Sequence, residues 1–245
     1  MSHLSPCRAS AENHLDRRAA ENIVALALAF AASLALTAVA LAAHHTVPYG
    51  DSRIVVVEGA PFAAPATYRV LRINQTTTLR NLLSVVMPEQ AEVQMVNADE
   101  RHDPSAAVTA AWMLVFERGE PEVVAVAAAA VPKIQVPGNE SGTSSGLIHA
   151  LSVIDALTGG DLTAGRVLAG TGSVTRKGDV TEIASVEHKL RAAADAGAKI
   201  ALVPSVQIDE ALAVSPPGLE VVGVSSVADA VDALCTRGGI SPLCR

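Results

Sequence analysis

The apolar residues divide the chain into an uncharged N-terminal run and a longer region in which apolar and polar segments alternate. Residues 23–43 contain no charged side chain, and only Ser33 and Thr37 interrupt the apolar run. A helix of that length spans roughly 30 Å, which matches the hydrocarbon thickness of a bilayer. The pattern therefore predicts one transmembrane helix at residues 23–43.

Positive charge ahead of this run predicts its orientation. Three arginines lie in residues 1–22, and no Lys or Arg follows the run before Arg53. The positive-inside bias then places residues 1–22 in the cytoplasm and the chain after residue 43 outside the membrane. A cleaved signal peptide is the competing interpretation, because small residues at positions 38–42 fit a cleavage site. The apolar run is longer than the core of a signal peptide, which favours the retained anchor.

Two short β-branched segments follow the uncharged run. Residues 46–58 and 66–73 are rich in Val, Thr, Tyr and Ile, and Gly and Pro residues separate them. They predict two strands that form a small sheet just outside the membrane. Residues 98–105 are polar and predict a linker. We therefore expect residues 44–105 to form a small β-rich segment of their own.

From residue 106 onward, helical and strand patterns alternate. Residues 123–131 form a continuous apolar run, which predicts a buried strand, and residues 143–157 carry apolar side chains at helical spacing. This mixture predicts an α+β or mixed α/β domain over residues 106–245. The other predicted elements are a helix starting at Asp103-Pro104-Ser105, a hairpin at 166–180, helices at 186–196, 208–213 and 227–235, and strands at 200–204 and 219–224.

Composition and motif searches exclude several classes of function. The chain has 18 Lys and Arg against 25 Asp and Glu, so its net charge of −7 lacks the positive excess that nucleic-acid binding uses. There is no HExxH motif, and the seven His are scattered, so no metal site is predicted. The Gly170–Ser173 segment begins like a phosphate loop, but the required Gly-Lys-Ser/Thr does not follow. We expect no nucleotide and no other cofactor.

Three cysteines are too few for a disulfide scaffold or a four-cysteine zinc site. Cys235 and Cys244 enclose a short segment near the C-terminus and can form a disulfide if this part of the chain is exported. Two free thiols in a frayed tail are an equally favoured alternative. Cys7 would lie alone on the reducing side of the membrane.

A Gly- and Ser-rich loop at residues 138–146 runs directly into the helix predicted after it. Backbone N–H groups at a helix N-terminus point outward and carry partial positive charge, so they can stabilise an oxyanion. A Ser at this place is well positioned for nucleophilic attack. A Ser-rich helix N-cap gives the same pattern, so the loop alone leaves both interpretations open.

The order of short motifs over residues 130–205 resembles the proteolytic domain of the Lon family. The motifs are IQVPGNESGTSSG, a Thr-Gly pair at 158–159, AGTGSVTRKGDVTEI and EHKLRAAADAGAKIALVPS. They are specific as an ordered set, although none is specific alone. The resemblance implies a Lon-like fold and the activity of a serine endopeptidase with no metal or cofactor.

The resemblance also implies a Ser–Lys catalytic pair. The family's nucleophile corresponds to Ser144, its catalytic lysine to Lys189, and the Thr that lies near that lysine to Thr171. A lysine can take the proton of a serine only when it is neutral, and burial among small apolar side chains lowers its pKa towards about 7–8. The loop that surrounds the nucleophile and supplies the oxyanion-stabilising N–H groups corresponds to Gly142, Thr143 and Ser145.

The chain departs from the family pattern at the two turns that carry this pair. Thr143 replaces the Pro before the nucleophile, and Ser141 replaces an acidic residue. Ala184 and Ser185 replace two glycines of a tight strand-to-helix turn, which is unfavourable if either position needs a positive φ. A second hypothesis therefore stays open, in which the domain keeps the fold without the activity and serves as a peptide-binding or assembly protein.

The order of an anchor, a short β segment and an exported Lon-type domain resembles bacterial membrane proteins that combine a PDZ domain with a Lon-like protease domain. Too few residues separate the matching segments here for a PDZ domain, so we expect it to be missing or vestigial. The expectation is a single-pass protein of the bacterial cell membrane whose C-terminal domain faces outside the cytoplasm. Its partner would be a protein or peptide substrate, and self-association into a homo-oligomer stays open.

Overall fold

The computed structural model describes residues 26–33, 51–72, 104–136 and 143–244. The chain forms two units, Met1–Val47 and Pro48–Arg245. In the first unit, residues 26–33 form a helix with exposed side chains. Within the four described ranges, no helix has the length and hydropathy needed to cross a bilayer. The rest of the uncharged run at 23–43 lies outside the described residues, so the transmembrane helix stays a prediction.

The second unit is built on a mixed β-sheet. Its strands are β1 (Asp51–Ile54), β2 (Tyr68–Arg72), β3 (Leu168–Gly170), β6 (Ile200–Pro204) and β7 (Glu220–Val224), in the order β1-β2-β3-β6-β7. β1 is antiparallel to β2, and the other neighbouring pairs are parallel. A separate antiparallel pair, β4 (Ser173–Val174) and β5 (Val180–Thr181), lies between β3 and β6 in the sequence. The hairpin predicted at 166–180 therefore forms only in its second half.

Helices cover both faces of this sheet. They are α1 (Pro104–Arg118), α2 (Pro121–Ala130), α3 (Gly146–Thr158), α4 (Val186–Asp195), α5 (Ile208–Ala213) and α6 (Val227–Cys235). Because successive strand residues point to opposite faces, Ile200 and Leu202 pack in the core with α1, α2, α3 and α6. Ala201 and Val203 pack with α4 and α5 on the other face. The predicted mixed α/β class is confirmed.

The strand predicted at residues 123–131 is wrong, because this segment forms helix α2. Five of its residues are alanine, the best helix former, and Pro121 occupies the first turn, where it is tolerated. Only Ala127 and Ala130 are buried, so most of the apolar run is not core. A short apolar run does not distinguish a strand from a helix by periodicity alone.

The two strands predicted near the N-terminus form, but not as a separate small sheet. β2 pairs with β3 in parallel, with Tyr68 opposite Leu168 and Val70 opposite Gly170. Tyr68 and Val70 are buried in the core that also contains α3. An isolated pair of strands is marginally stable in water, whereas strands added to an existing sheet bury one face at once. Residues 73–103, which include most of the linker predicted at 98–105, lie outside the described residues, and residues 104 and 105 begin helix α1.

Candidate functional site

The start of α3 holds Ser144 against the chain that leaves the carboxyl end of β3. The Ser144 carbonyl oxygen accepts hydrogen bonds from the Gly172 N–H at 2.8 Å and from Thr171 Oγ1 at 3.3 Å. The Leu147 N–H donates back to the Gly172 carbonyl at 3.0 Å. These bonds fix the half-buried Ser144 at the carboxyl edge of the parallel strands, where α/β sheets commonly carry their sites.

Two glycines allow this close approach. A Cβ atom on Gly146 would lie 3.0 Å from the Val174 backbone nitrogen, and one on Gly172 would lie 2.8 Å from Val180 Cγ1. Any larger residue would push α3 away from β4 and loosen the bonds to Ser144. Glycine is therefore required here by the space available.

The residues around Ser144 have specific local partners. The hydroxyls of Thr143 and Ser173 lie 2.5 Å apart in a hydrogen bond, so Thr143 ties the loop to β4. Ser145 is buried, and its carbonyl accepts the His149 N–H at 3.1 Å. No acceptor for the Ser144 N–H lies within the described ranges. Gly142 lies outside the described residues.

Lys189 lies near the start of α4, the helix that packs on the face of the sheet opposite α3. Its side chain is only 5% exposed, and its helix neighbours Val186, Leu190 and Ala193 are buried and apolar. Burial lowers the pKa of Lys189 to about 8, with no charged group contributing. The described part of the chain supplies no hydrogen bond or ion pair to its ammonium group. The environment of Lys189 therefore favours the neutral amine over the charged ammonium.

The turn before α4 is strained. Ser185 adopts φ 61° and ψ 48°, in the left-handed region that favours glycine, and its carbonyl accepts the Lys189 N–H at 3.3 Å. Within the described ranges, Ala164 is the other non-glycine residue with a positive φ, so Ala184 has an ordinary backbone. Of Ala184 and Ser185, the two positions at which the resembled family has glycines, Ser185 alone therefore has a positive φ.

Helix α4 begins at the same edge of the sheet as α3. The backbone of Ile183, just before α4, is hydrogen-bonded to the side chain of Gln207, and Gln207 follows the carboxyl end of β6. At the other end of α4, the Lys199 N–H donates to the Val167 carbonyl, next to the amino end of β3. The first turn of α4 thus lies at the carboxyl edge. Within the described ranges, no hydrogen bond joins Ser144 Oγ to Lys189 Nζ.

The Thr171 hydroxyl bonds the backbone of Ser144. Thr171 is buried beyond β3, its N–H donates to the Leu202 carbonyl at 2.9 Å, and its hydroxyl donates to the Ser144 carbonyl. The Thr171 oxygen can still accept a hydrogen bond, and its predicted support of Lys189 stays a prediction.

A buried pair at the other end of α3 was missed. The Tyr68 hydroxyl donates to Asp155 Oδ2 at 2.7 Å, and the Leu162 N–H donates to the same oxygen at 2.9 Å. Burial raises the pKa of Asp155 to about 6, and burial together with Asp155 raises the pKa of Tyr68. A single Asp inside the apolar segment LSVIDAL was the available signal. This pair lies at the amino end of β2, away from Ser144.

Two further features complete the picture of the described residues. Cys235 and Cys244 are joined in a disulfide with a Cα–Cα distance of 5.5 Å, which links the end of α6 to the C-terminal segment. Within the described ranges, no group of three or more His, Cys, Asp or Glu side chains could hold a metal ion.

Comparisons with known proteins relate only part of the chain to a known family. No known protein-family profile matches the chain. Over 97 residues the chain is 31% identical to an archaeal Lon protease from Halobacterium salinarum. Those residues are 39% of this chain and 14% of that protein. The similarity supports a Lon-like protease relationship over part of the chain, and the Lon-like fold itself stays a prediction.

Proposed function

We propose that this protein is an ATP-independent serine endopeptidase that uses Ser144 as nucleophile and Lys189 as general base. The observation that carries the proposal is Lys189, a buried lysine among apolar neighbours whose pKa is lowered to about 8. Burying an unpaired amine is unfavourable, and such groups concentrate at functional sites. Ser144 directly precedes α3, and Lys189 lies near the start of α4, and both helices begin at the same edge of the sheet.

The chemistry follows from these two groups. Neutral Lys189 takes the proton of Ser144 Oγ, and the oxygen attacks the carbonyl carbon of a peptide bond. The Ser144 N–H can donate to the oxyanion that forms. As the C–N bond breaks, the Lys189 ammonium gives its proton to the departing amine, which leaves an acyl ester on Ser144. Lys189 then takes a proton from water, whose oxygen attacks the ester, and the Lys189 ammonium returns that proton to Ser144 Oγ as the new carboxyl terminus leaves.

We propose that the substrates are protein segments that are already extended and exposed. An extended segment can reach a serine nucleophile without first being unfolded, and the sequence carries no readable nucleotide-binding loop. The uncharged run at residues 23–43 is proposed as the anchor that holds the domain at the outer face of a bacterial cell membrane.

A specific observation favours a second candidate, a Lon-like domain that binds peptides or assembles with partners without cleaving. The Ser144 and Lys189 side chains share no hydrogen bond within the described ranges, and Ser185 holds a strained turn beside Lys189. Apo active sites often have long catalytic contacts that tighten with substrate, so the geometry supports the peptidase first.

Cleavage of a permanently unfolded protein by the full-length chain in detergent tests the proposal. We expect Ser144→Ala and Lys189→Ala each to abolish cleavage while the thermal unfolding midpoint shows a folded protein. Lys189→Arg should fail as well, because a guanidinium does not release its proton. Lys199→Ala and Ser215→Ala are the matched controls, since both residues lie at the amino edge of the sheet. Cleavage that survives Ser144→Ala, or binding without cleavage by the unaltered chain, would contradict the peptidase.

Alkaline carbonate extraction of membranes tests the anchor. A retained helix at residues 23–43 leaves the full-length chain in the membrane pellet. A soluble mature protein that begins near residue 44 would support the signal peptide instead. Sequencing its first residues distinguishes a specific cleavage from general proteolysis.

A further inference from the structure

We infer that Gln207 is the positioning residue for Lys189, because its side chain holds the turn from which α4 starts. The inference rests on the proposed function, since it assigns Gln207 a part in making Lys189 an effective base. Gln207 ends the 3₁₀ turn Ser205–Gln207 that follows β6, so it is far from Ile183 in the sequence.

Two hydrogen bonds join Gln207 to Ile183, and Gln207 accepts in one and donates in the other. The Ile183 N–H donates to Gln207 Oε1 at 2.9 Å, and Gln207 Nε2 donates to the Ile183 carbonyl at 2.9 Å. A carboxamide is the side-chain group that can accept from one backbone group and donate to its neighbour in the same plane. Gln207 thus takes the place of a neighbouring strand and restrains both the position and the rotation of Ile183.

The restraint is transmitted over a few residues to Lys189. Ile183 is itself buried in the core below α4, and Ser185 follows it in the left-handed conformation. A non-glycine residue there carries roughly 1–2 kcal/mol of strain and persists only when its surroundings hold it. The Ser185 carbonyl accepts the Lys189 N–H, so the strained residue also forms the first helical hydrogen bond to Lys189.

Removing the two bonds should therefore release the turn. Ser185 can then move towards a favoured φ, the first turn of α4 loosens, and the Lys189 ammonium gains water. Because burial alone lowers the pKa of Lys189, hydration returns that pKa towards its ordinary value of 10.5. Gln207 Nε2 also donates a weaker hydrogen bond to Glu210 Oε2 at 3.4 Å, and Glu210→Gln keeps an acceptor oxygen there, which makes that variant a suitable control.

The test is the pKa of Lys189 in the full-length chain, followed by the ¹³Cε chemical shift of labelled lysines and assigned with Lys189→Arg. In Gln207→Met, which keeps the length but loses both hydrogen bonds, we expect the pKa to rise from about 8 towards 10.5. At pH 8 the neutral fraction of Lys189 then falls roughly 100-fold, and cleavage falls with it. Glu210→Gln should leave both quantities unchanged.

A rescue separates positioning from general loss of stability. Ser185→Gly added to Gln207→Met lets the turn keep its positive φ without strain, so the low pKa and the cleavage rate should partly return. If Gln207→Met does not fold, Gln207→Glu takes its place, since it keeps the bond from the Ile183 N–H and loses only the donation to the carbonyl. That variant should raise the pKa by a smaller amount.

The outcomes distinguish this inference from the proposed function. An unchanged pKa of Lys189 in a folded Gln207→Met or Gln207→Glu variant overturns the inference, whatever the cleavage rate. In a second outcome, Gln207→Met raises the pKa of Lys189, Ser185→Gly lowers it again, and the unaltered chain never cleaves protein. That outcome supports the positioning role and rejects the peptidase. If the pKa of Lys189 is raised in Gln207→Met and stays raised when Ser185→Gly is added, Gln207 does not act on Lys189 through the turn at Ser185.

Discussion

The Thr171 hydroxyl donates a hydrogen bond to the Ser144 carbonyl at 3.3 Å, beside the 2.8 Å bond from the Gly172 N–H to the same oxygen. Thr171 is buried and is also tied to Leu202 of β6. The backbone of the proposed nucleophile is therefore held by residues that belong to the interior of the sheet. Rigid placement of this kind favours catalysis, because misplaced reacting groups lose rate.

The rate of peptide cleavage should depend on pH through Lys189. Its pKa is lowered to about 8 by burial, and only the neutral amine can accept the Ser144 proton. We expect kcat/KM to rise with pH through a midpoint near 8 and to level off above it. Initial rates from pH 6 to 10 measure this, with unfolding curves at each pH as the control. A midpoint near 6, typical of His, would point to another base.

Ser185→Gly should stabilise the protein. Relief of the left-handed strain contributes roughly 1–2 kcal/mol, and the greater freedom of glycine in the unfolded chain offsets about half of it. A net gain of about 0.5–1 kcal/mol corresponds to about 1–4 °C in Tm. Ala184→Gly is the matched control and should lower Tm, because Ala184 has no positive φ. Equal shifts in both variants would show that the backbone conformation is not the cause.

Stability should also vary with pH through Asp155. Its pKa in the fold is about 6, above the ordinary 3.8, so the folded state binds this proton more tightly than the unfolded state. The penalty on the charged form is fully present above pH 6 and is relieved as the pH falls towards 4. The rise of the Asp155 pKa from 3.8 to about 6 corresponds to about 3 kcal/mol of unfolding free energy.

Urea unfolding at pH 7 and at pH 4.5 measures this effect, with Asp155→Asn as the comparison. The other acidic groups titrate in both proteins, so the difference between them isolates Asp155. We expect the unaltered chain to gain stability relative to Asp155→Asn as the pH is lowered. Parallel pH dependences would mean that Asp155 ionises in the fold as it does in water.

The disulfide between Cys235 and Cys244 should stabilise the domain. Closing a short loop limits the unfolded chain, which in the chain-entropy model contributes about 2–3 kcal/mol. Cys235→Ser with Cys244→Ser, or reduction of the native protein, should lower Tm accordingly, and Cys7→Ser should not. Two freely alkylated thiols in protein taken from its native compartment would contradict the pairing.

Several elements could be predicted from local pattern alone. The helices α3, α4 and α6 and the strands β6 and β7 lie where periodicity placed them, because each has a strong apolar pattern between clear turn signals. The failure at residues 123–131 has a local cause as well. Alanine favours a helix, yet a run of alanine and valine is also continuously apolar, like a buried strand. The run itself therefore does not show which structure it forms or how much of it is buried.

The candidate site divides in the same way. Spacing and motif order are enough to predict a Ser before an apolar helix and a Lys on a second helix. The burial of Lys189, the bond from Thr171 to the Ser144 backbone and the bonds between Gln207 and Ile183 become visible only in the folded chain. These contacts join residues far apart in the chain across the edge of a parallel sheet. Local propensity carries no information about them, because burial and long-range hydrogen bonds exist only once the strands have paired.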